Sequence, residues 1–174
     1  MYQFVIPIHH VNWSTRSVLE GISQKYKPKQ IYVVTSDHEI KIFKDKSNSW
    51  DIENLTLLDE DNFFLNKYGL TKKDIVSQIT QNKPNYSPGW LYQQIIKLGA
   101  SDVIDELEDV FIIWDADLLP VKSWPILDDK KEKFALLQDK SCGNQDVLNS
   151  WKNLITNVLE INPVEDIRGT FTSH

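Results

Sequence analysis

Short apolar runs bounded by polar punctuation recur along this chain, and the stretches between them carry helical spacing. Phe4-Val5-Ile6-Pro7-Ile8, Ile31-Tyr32-Val33-Val34, Phe111-Ile112-Ile113-Trp114 and Phe134-Ala135-Leu136-Leu137 are continuously apolar. Runs of four or five such residues predict strands buried on both faces. Ile40-Lys41-Ile42-Phe43 and Leu55-Thr56-Leu57-Leu58 are more mixed and predict short edge strands. Val18, Leu19 and Ile22 make one stripe of a helix over 14–26. Helices are also expected over 59–67 and over 72–80, the second opened by Thr71 with Asp74 three residues on. Ser87-Pro88 opens another helix that runs through Leu91 to Leu98, breaks near Gly99 and leads by Asp102 to Leu107 into the strand at 111–114. A long amphipathic helix is expected over 144–160. Strand and helix alternate with no repeat or linker, which predicts a mainly parallel α/β sheet flanked by helices, in a single domain spanning 1–174.

Composition narrows the class. Hydrophobic residues at 41% and charged residues at 25% are globular values and argue against disorder. A net charge of −6, with no continuous Lys/Arg stripe, argues against a nucleic-acid partner. The single cysteine, Cys142, makes no internal disulfide, and no apolar run approaches the ~20 residues of a membrane span. A soluble, cytoplasmic protein is the simplest expectation. Oligomeric state is not legible.

The chemistry concentrates where Phe111–Trp114 runs into Asp115-Ala116-Asp117. Two carboxylates one residue apart on a strand project from the same face and repel unless a cation or donor sits between them. Such oxygen ligands suit Mg²⁺ or Mn²⁺, which take one or two carboxylates and complete their shell with water and substrate phosphates. The competing reading is a plain polar strand end. Parallel sheets bind ligands beyond the carboxyl ends of their strands, and both Asp37 and Asp115 lie at such ends.

The succession FVIPI, YVVTSD, GWLYQQIIKLGASDVI and DVFIIWDADLLP resembles the GT-A-fold nucleotide-sugar glycosyltransferases, with WDAD as the Asp-x-Asp motif. Asn144-Gln145-Asp146-Val147-Leu148-Asn149 resembles the D-Q-D-x-L-N segment of retaining members, with Asn144 in place of the family's acid. The GW-x-x-QQ-x-x-K block is similar to one in small bacterial and phage proteins grouped with these enzymes. The resemblance implies a GT-A (Rossmann-like) fold. It also implies a metal-dependent hexosyltransferase using a UDP-hexose such as UDP-glucose or UDP-galactose, with slow donor hydrolysis in the absence of acceptor. The acceptor and the retaining or inverting outcome stay open. The chain ends at His174, where most relatives continue into an acceptor-binding half, so a minimal or truncated member is expected.

The resemblance also implies site roles. Asp117 would ligate the metal directly, while Asp115 would hold it through water or hold the ribose, with Trp114 and Ala116 beside them at the donor. Pro7, Ile8, His9 and Asp37 would form the base pocket, and Gln145 and Asp146 would be catalytic. His174 would be a third metal ligand, against the alternative of a frayed terminus. Asp146 is equally readable as a helix cap. Gln94 and Lys97 are candidate donor-binding residues, Lys97 as a phosphate cation or, more simply, a solvated helix lysine; Lys97 shares a face with Gln93 and Gln94 is turned from it, so at most part of this group lines one pocket. Trp90 and Tyr92 read as sugar-stacking rings or as core. Two other functions fit in part: a non-catalytic nucleotide-sugar-binding remnant, and an Asp-x-Asp phosphatase with the first Asp as nucleophile.

Overall fold

The computed structural model describes residues 1–82, 87–123, 126–128 and 131–132. The strand expected over 134–137 and the helix over 144–160 lie outside them. Contacts divide the chain into Met1–Ser123 and Trp124–His174. In the second unit β5 (Leu127–Asp128) pairs antiparallel with β6 (Lys131–Glu132).

The first unit runs β1 (Gln3–Pro7), α1 (Trp13–Tyr26), β2 (Gln30–Thr35), α2 (Asp37–Ser47), β3 (Leu55–Asp59), α3 (Leu65–Tyr68), α4 (Lys72–Asn82), α5 (Pro88–Val103), β4 (Ile112–Ile113). The four strands form one parallel sheet in the order β3-β2-β1-β4. The expected parallel α/β architecture is therefore present. Every β1 residue is buried, as a strand covered on both faces requires. Val5, Tyr32 and Val34 face a cluster with Phe63, Phe64, Tyr92, Ile96 and Ala100. On the opposite face the Phe4 ring meets Tyr26 of α1 at 5.4 Å between centroids.

Local chemistry sets the helix ends. Asn12 caps α1 by accepting from the backbone N–H groups of Ser14 and Thr15, and the Thr15 hydroxyl oxygen accepts in turn from the Asn12 N–H. The Asp74 carboxylate accepts from the Thr71 N–H at 2.9 Å, as that pair predicts. Ser87 accepts from Trp90 N–H at the start of α5.

Four expectations are corrected. Residues 40–43 are not an edge strand but part of α2, because Ser36 caps that helix at Glu39 N–H and places Asp37 and Glu39 in its first turn; this start signal outweighs a four-residue alternation. The helix over 59–67 shrinks to Leu65–Tyr68, since the Asp59 carboxylate accepts from Asp61 N–H and Asn62 Nδ2 and holds a turn instead. α5 does not break at Gly99 but passes through it. A Cβ there would stand 2.6 Å from Phe64 Cε1, so the glycine serves close packing. Finally, β4 stops at Ile113, and the Leu118 N–H bonds to the Asp115 carbonyl at 3.1 Å. Asp115 and Asp117 therefore sit on a turn rather than on one face of a strand. Among the described residues β4 is an outer strand, and Ile113 is exposed.

The strand order places the ligand edge. Sequence runs outward from β1 through β2 to β3, then the chain crosses back and β4 adds on the other side of β1. At such a reversal the connections leave the carboxyl ends of the two strands in opposite directions and open a crevice. Here that point lies between Pro7-Ile8-His9 and Trp114-Asp115-Ala116-Asp117.

Candidate functional site

At this edge lies a cleft of about 210 Å³. Pro7, Ile8 and His9 leave β1 along one side, Glu60 follows β3, and Ser87, Trp90 and Gln93 come from the start of α5. Glu60 is fixed three ways. Its backbone N–H donates to Thr35 O at 2.8 Å, its carbonyl accepts from the buried Tyr92 hydroxyl at 2.5 Å, and its carboxylate pairs with Lys72. Lys72 Nζ also lies 5.7 Å above the Tyr92 ring, within cation–π range. Burial first, and then the negative charge of Glu60, hold the Tyr92 phenol well above its ordinary pKa. Tyr92 is thus a neutral donor in the core, and the largely buried Glu60 enters the cleft wall as an ion pair with Lys72.

The loop after β1 is clamped from α2. Buried Glu39 accepts from Val11 N–H at 2.8 Å and lies 3.1 Å from His10 Nδ1. These bonds, the one to Val11 foremost, hold its carboxyl below the ordinary range despite burial. The exposed His9 lines the cleft with its ring 4.0 Å from that of His10.

The Asp115-Ala116-Asp117 turn is tied down by Trp114. Its N–H donates to Val5 O, which continues the sheet by one bond, and its indole Nε1 donates to Leu118 O at 2.7 Å across the turn. The ring packs on Phe4 and Tyr26 at 6.0 and 5.9 Å. Gly21 of α1 admits Pro120, whose Cγ would lie 3.0 Å from a Cβ at that position, so the segment after the turn is seated on the same helix. Lys97, from the middle of α5, donates to Asp115 Oδ1 at 2.5 Å. The lysine is 10% exposed and the aspartate 14% at their side chains. The reading of Lys97 as a solvated helix lysine is therefore corrected: α5 carries it inward, one turn beyond Gln93 of the cleft wall. Asp117 is exposed and makes no hydrogen bond or ion pair among the described residues.

A divalent cation is compatible with this donor set. Asp117 offers a free carboxylate and Asp115 a second oxygen beyond the one Lys97 uses, and hard ions such as Mg²⁺ need no more from the protein when phosphates supply the rest. No group of three His, Cys, Asp or Glu side chains is close enough to form a cage among the described residues.

The other expected residues divide. Pro7, Ile8 and His9 line the cleft. Asp37 stands exposed at the start of α2, where its carboxylate accepts from Lys41 at 2.6 Å. Gln94 keeps a buried Nε2 without a partner among the described residues. Ala116 is half-buried in the turn. Gln145, Asp146 and His174 lie outside the described residues. Two cleft residues escaped the sequence reading, Glu60 and Lys72. Glu60 was legible as an acid just past a strand's carboxyl end, as Asp37 is, but the helix expected over 59–67 concealed that end.

Residues 17–170 match the Family of unknown function (DUF6492). Comparison with curated proteins and with solved structures found no match. No helix among the described residues is long and apolar enough to cross a membrane.

Proposed function

We propose that the chain, which belongs to the Family of unknown function (DUF6492) by that match, is a metal-dependent glycosyltransferase. It binds a nucleoside diphosphate hexose, UDP-linked, and passes the sugar to an acceptor. The observation that carries this reading is the position of the Asp115-Ala116-Asp117 turn at the crossover point between β1 and β4, at the same carboxyl edge of the sheet as a cleft lined by Trp90 and the Lys72–Glu60 pair.

The two halves of the site suit the two halves of such a donor. The cleft presents Trp90, Gln93 and the Glu60 carboxylate paired with Lys72, which suit a ring bearing hydroxyl or N–H groups. The turn presents Asp117 and Asp115 with Lys97 behind them, which suits a diphosphate only through a cation. A Mn²⁺ or Mg²⁺ ion held by the two aspartates would neutralise charge on the departing nucleoside diphosphate. Trp114 holds the turn in register with β1, and Glu39 ties down the loop after His9 through Val11 N–H.

Titration calorimetry with UDP, in EDTA and in Mn²⁺, tests this. Binding only with the metal is expected. Equal affinity in both buffers would remove the metal bridge, and no binding in either would remove the donor. Incubation with UDP-glucose separates the remaining readings: a transferase releases UDP slowly without acceptor, a phosphatase releases inorganic phosphate, and a binding remnant releases neither.

A further inference from the structure

We infer that Lys97 is the resident cation of the Asp115–Asp117 turn, one that a divalent ion must displace and that the displaced state offers to the ligand's phosphate. This deepens the donor reading and rests on it only in its second half.

A lysine in mid-helix is costly to bury as an ion unless a partner compensates it. Lys97 lies between Ile96 and Leu98 in sequence, is 9% exposed, and has Asp115 as its compensating carboxylate at 2.5 Å. Nothing in the packing needs that charge there. The cluster on this side of the sheet is closed by Tyr92, Ile96 and Ala100, one helical face over. A hydrophobic pair of similar volume would suit stability as well or better. What the ammonium does is hold the first acid of the turn in place and balance its charge when no other cation is there.

A second cation on Asp115 changes this balance. Two positive centres within about 4 Å on one carboxylate repel strongly in a site this dry, so metal binding loosens the Lys97 bond. The freed ammonium carries a flexible four-carbon stem, and its own helix leads one turn back to Gln93 at the cleft. A diphosphate bridging cleft and turn lies within that sweep. Lys97 is thus a positioning residue in the empty protein and a phosphate contact in the loaded one.

The experiment is a Mn²⁺ titration of the full chain without nucleotide, followed by calorimetry or by the loss of the free-ion paramagnetic resonance signal. Lys97→Met should bind Mn²⁺ about tenfold tighter or more than wild type, because the competing charge is gone, and Lys97→Arg should stay near wild type. Unchanged or weaker Mn²⁺ binding by Lys97→Met overturns the displacement. If that variant does not fold without metal, Lys97→Met/Asp115→Asn restores a neutral pair and should bind Mn²⁺ no tighter than wild type; tighter binding overturns the assignment to Asp115. At saturating Mn²⁺, Lys97→Met should then bind UDP about tenfold more weakly, and equal affinity overturns the phosphate contact. Failure of wild type to bind UDP, with Mn²⁺ displacement intact, removes the donor reading and leaves the resident-cation assignment standing.

Discussion

Replacing Gly99 by alanine opposes two effects of similar size on the helix that carries Trp90, Gln93 and Lys97. In a helix interior, alanine is favoured over glycine by up to ~1 kcal/mol. Against this, the new Cβ would stand 2.6 Å from Phe64 Cε1 and 3.0 Å from Cζ, contacts too short to keep. Aromatic neighbours hem the ring in on one side, while on the other it lines an open groove with Leu70, Ile95 and Gly99. Phe64 is 4% exposed and meets Phe63 at 5.0 Å, Tyr68 at 6.1 Å and Tyr92 at 6.3 Å between ring centroids. Overpacking a site of this kind costs about 1–3 kcal/mol. The overlap wins, and Gly99→Ala should destabilise by about 1 kcal/mol net, at the lower end if α5 shifts outward. Gly89, on the same helix, has nothing within 4 Å of the position its Cβ would take. Gly89→Ala should therefore gain some tenths of a kcal/mol up to ~1 from propensity alone. Urea unfolding followed by far-ultraviolet circular dichroism gives both values at unchanged m. In a Phe64→Leu background the Gly99→Ala penalty should largely disappear. A Gly99→Ala variant as stable as Gly89→Ala would refute the assignment of this glycine to ring packing.

Asp117→Asn should abolish metal-dependent donor turnover while leaving the melting temperature equal or slightly raised, since it removes one of two neighbouring negative charges; turnover at the normal rate would take Asp117 out of the mechanism. Tyr92→Phe deletes the hydroxyl that donates to Glu60 O and should cost about 1–2 kcal/mol by leaving that buried carbonyl unmet, measured by denaturant unfolding. Glu39 has a folded pKa held below its unfolded value, so its contribution is present above the ordinary carboxylate range and is lost as pH falls through the folded pKa. Glu39→Gln should flatten the acid limb of a melting-temperature profile recorded below about pH 5, and an identical acid limb would show that the clamp on Val11 and His10 adds nothing.

Strand identity was written into the local sequence. Phe4–Ile8 and Ile31–Val34 contain no alternation and so could only be buried on both sides, which in a chain this size means a parallel sheet between helices. Caps were equally legible where one side chain decides the outcome, as with Thr71 and Asp74 or with Ser87. The reading failed where two local signals of similar strength competed. Residues 40–43 alternate like a strand but follow Ser36 with Glu39 three residues on, and the cap decided. Asp59 ends β3 with a side-chain turn, which erased most of a helix and uncovered Glu60.

Only the tertiary structure decided who meets whom. Lys97 and Asp115 are eighteen residues apart, and nothing in either neighbourhood says that α5 will deliver one ammonium to one of two carboxylates. That depends on the rotation of a helix against the sheet, fixed by Phe64 seated on Gly99. The Asp-x-Asp motif announced a charged strand end from sequence alone. The strand order β3-β2-β1-β4, which no local pattern encodes, is what set it at the reversal between β1 and β4, where a parallel sheet opens to a ligand.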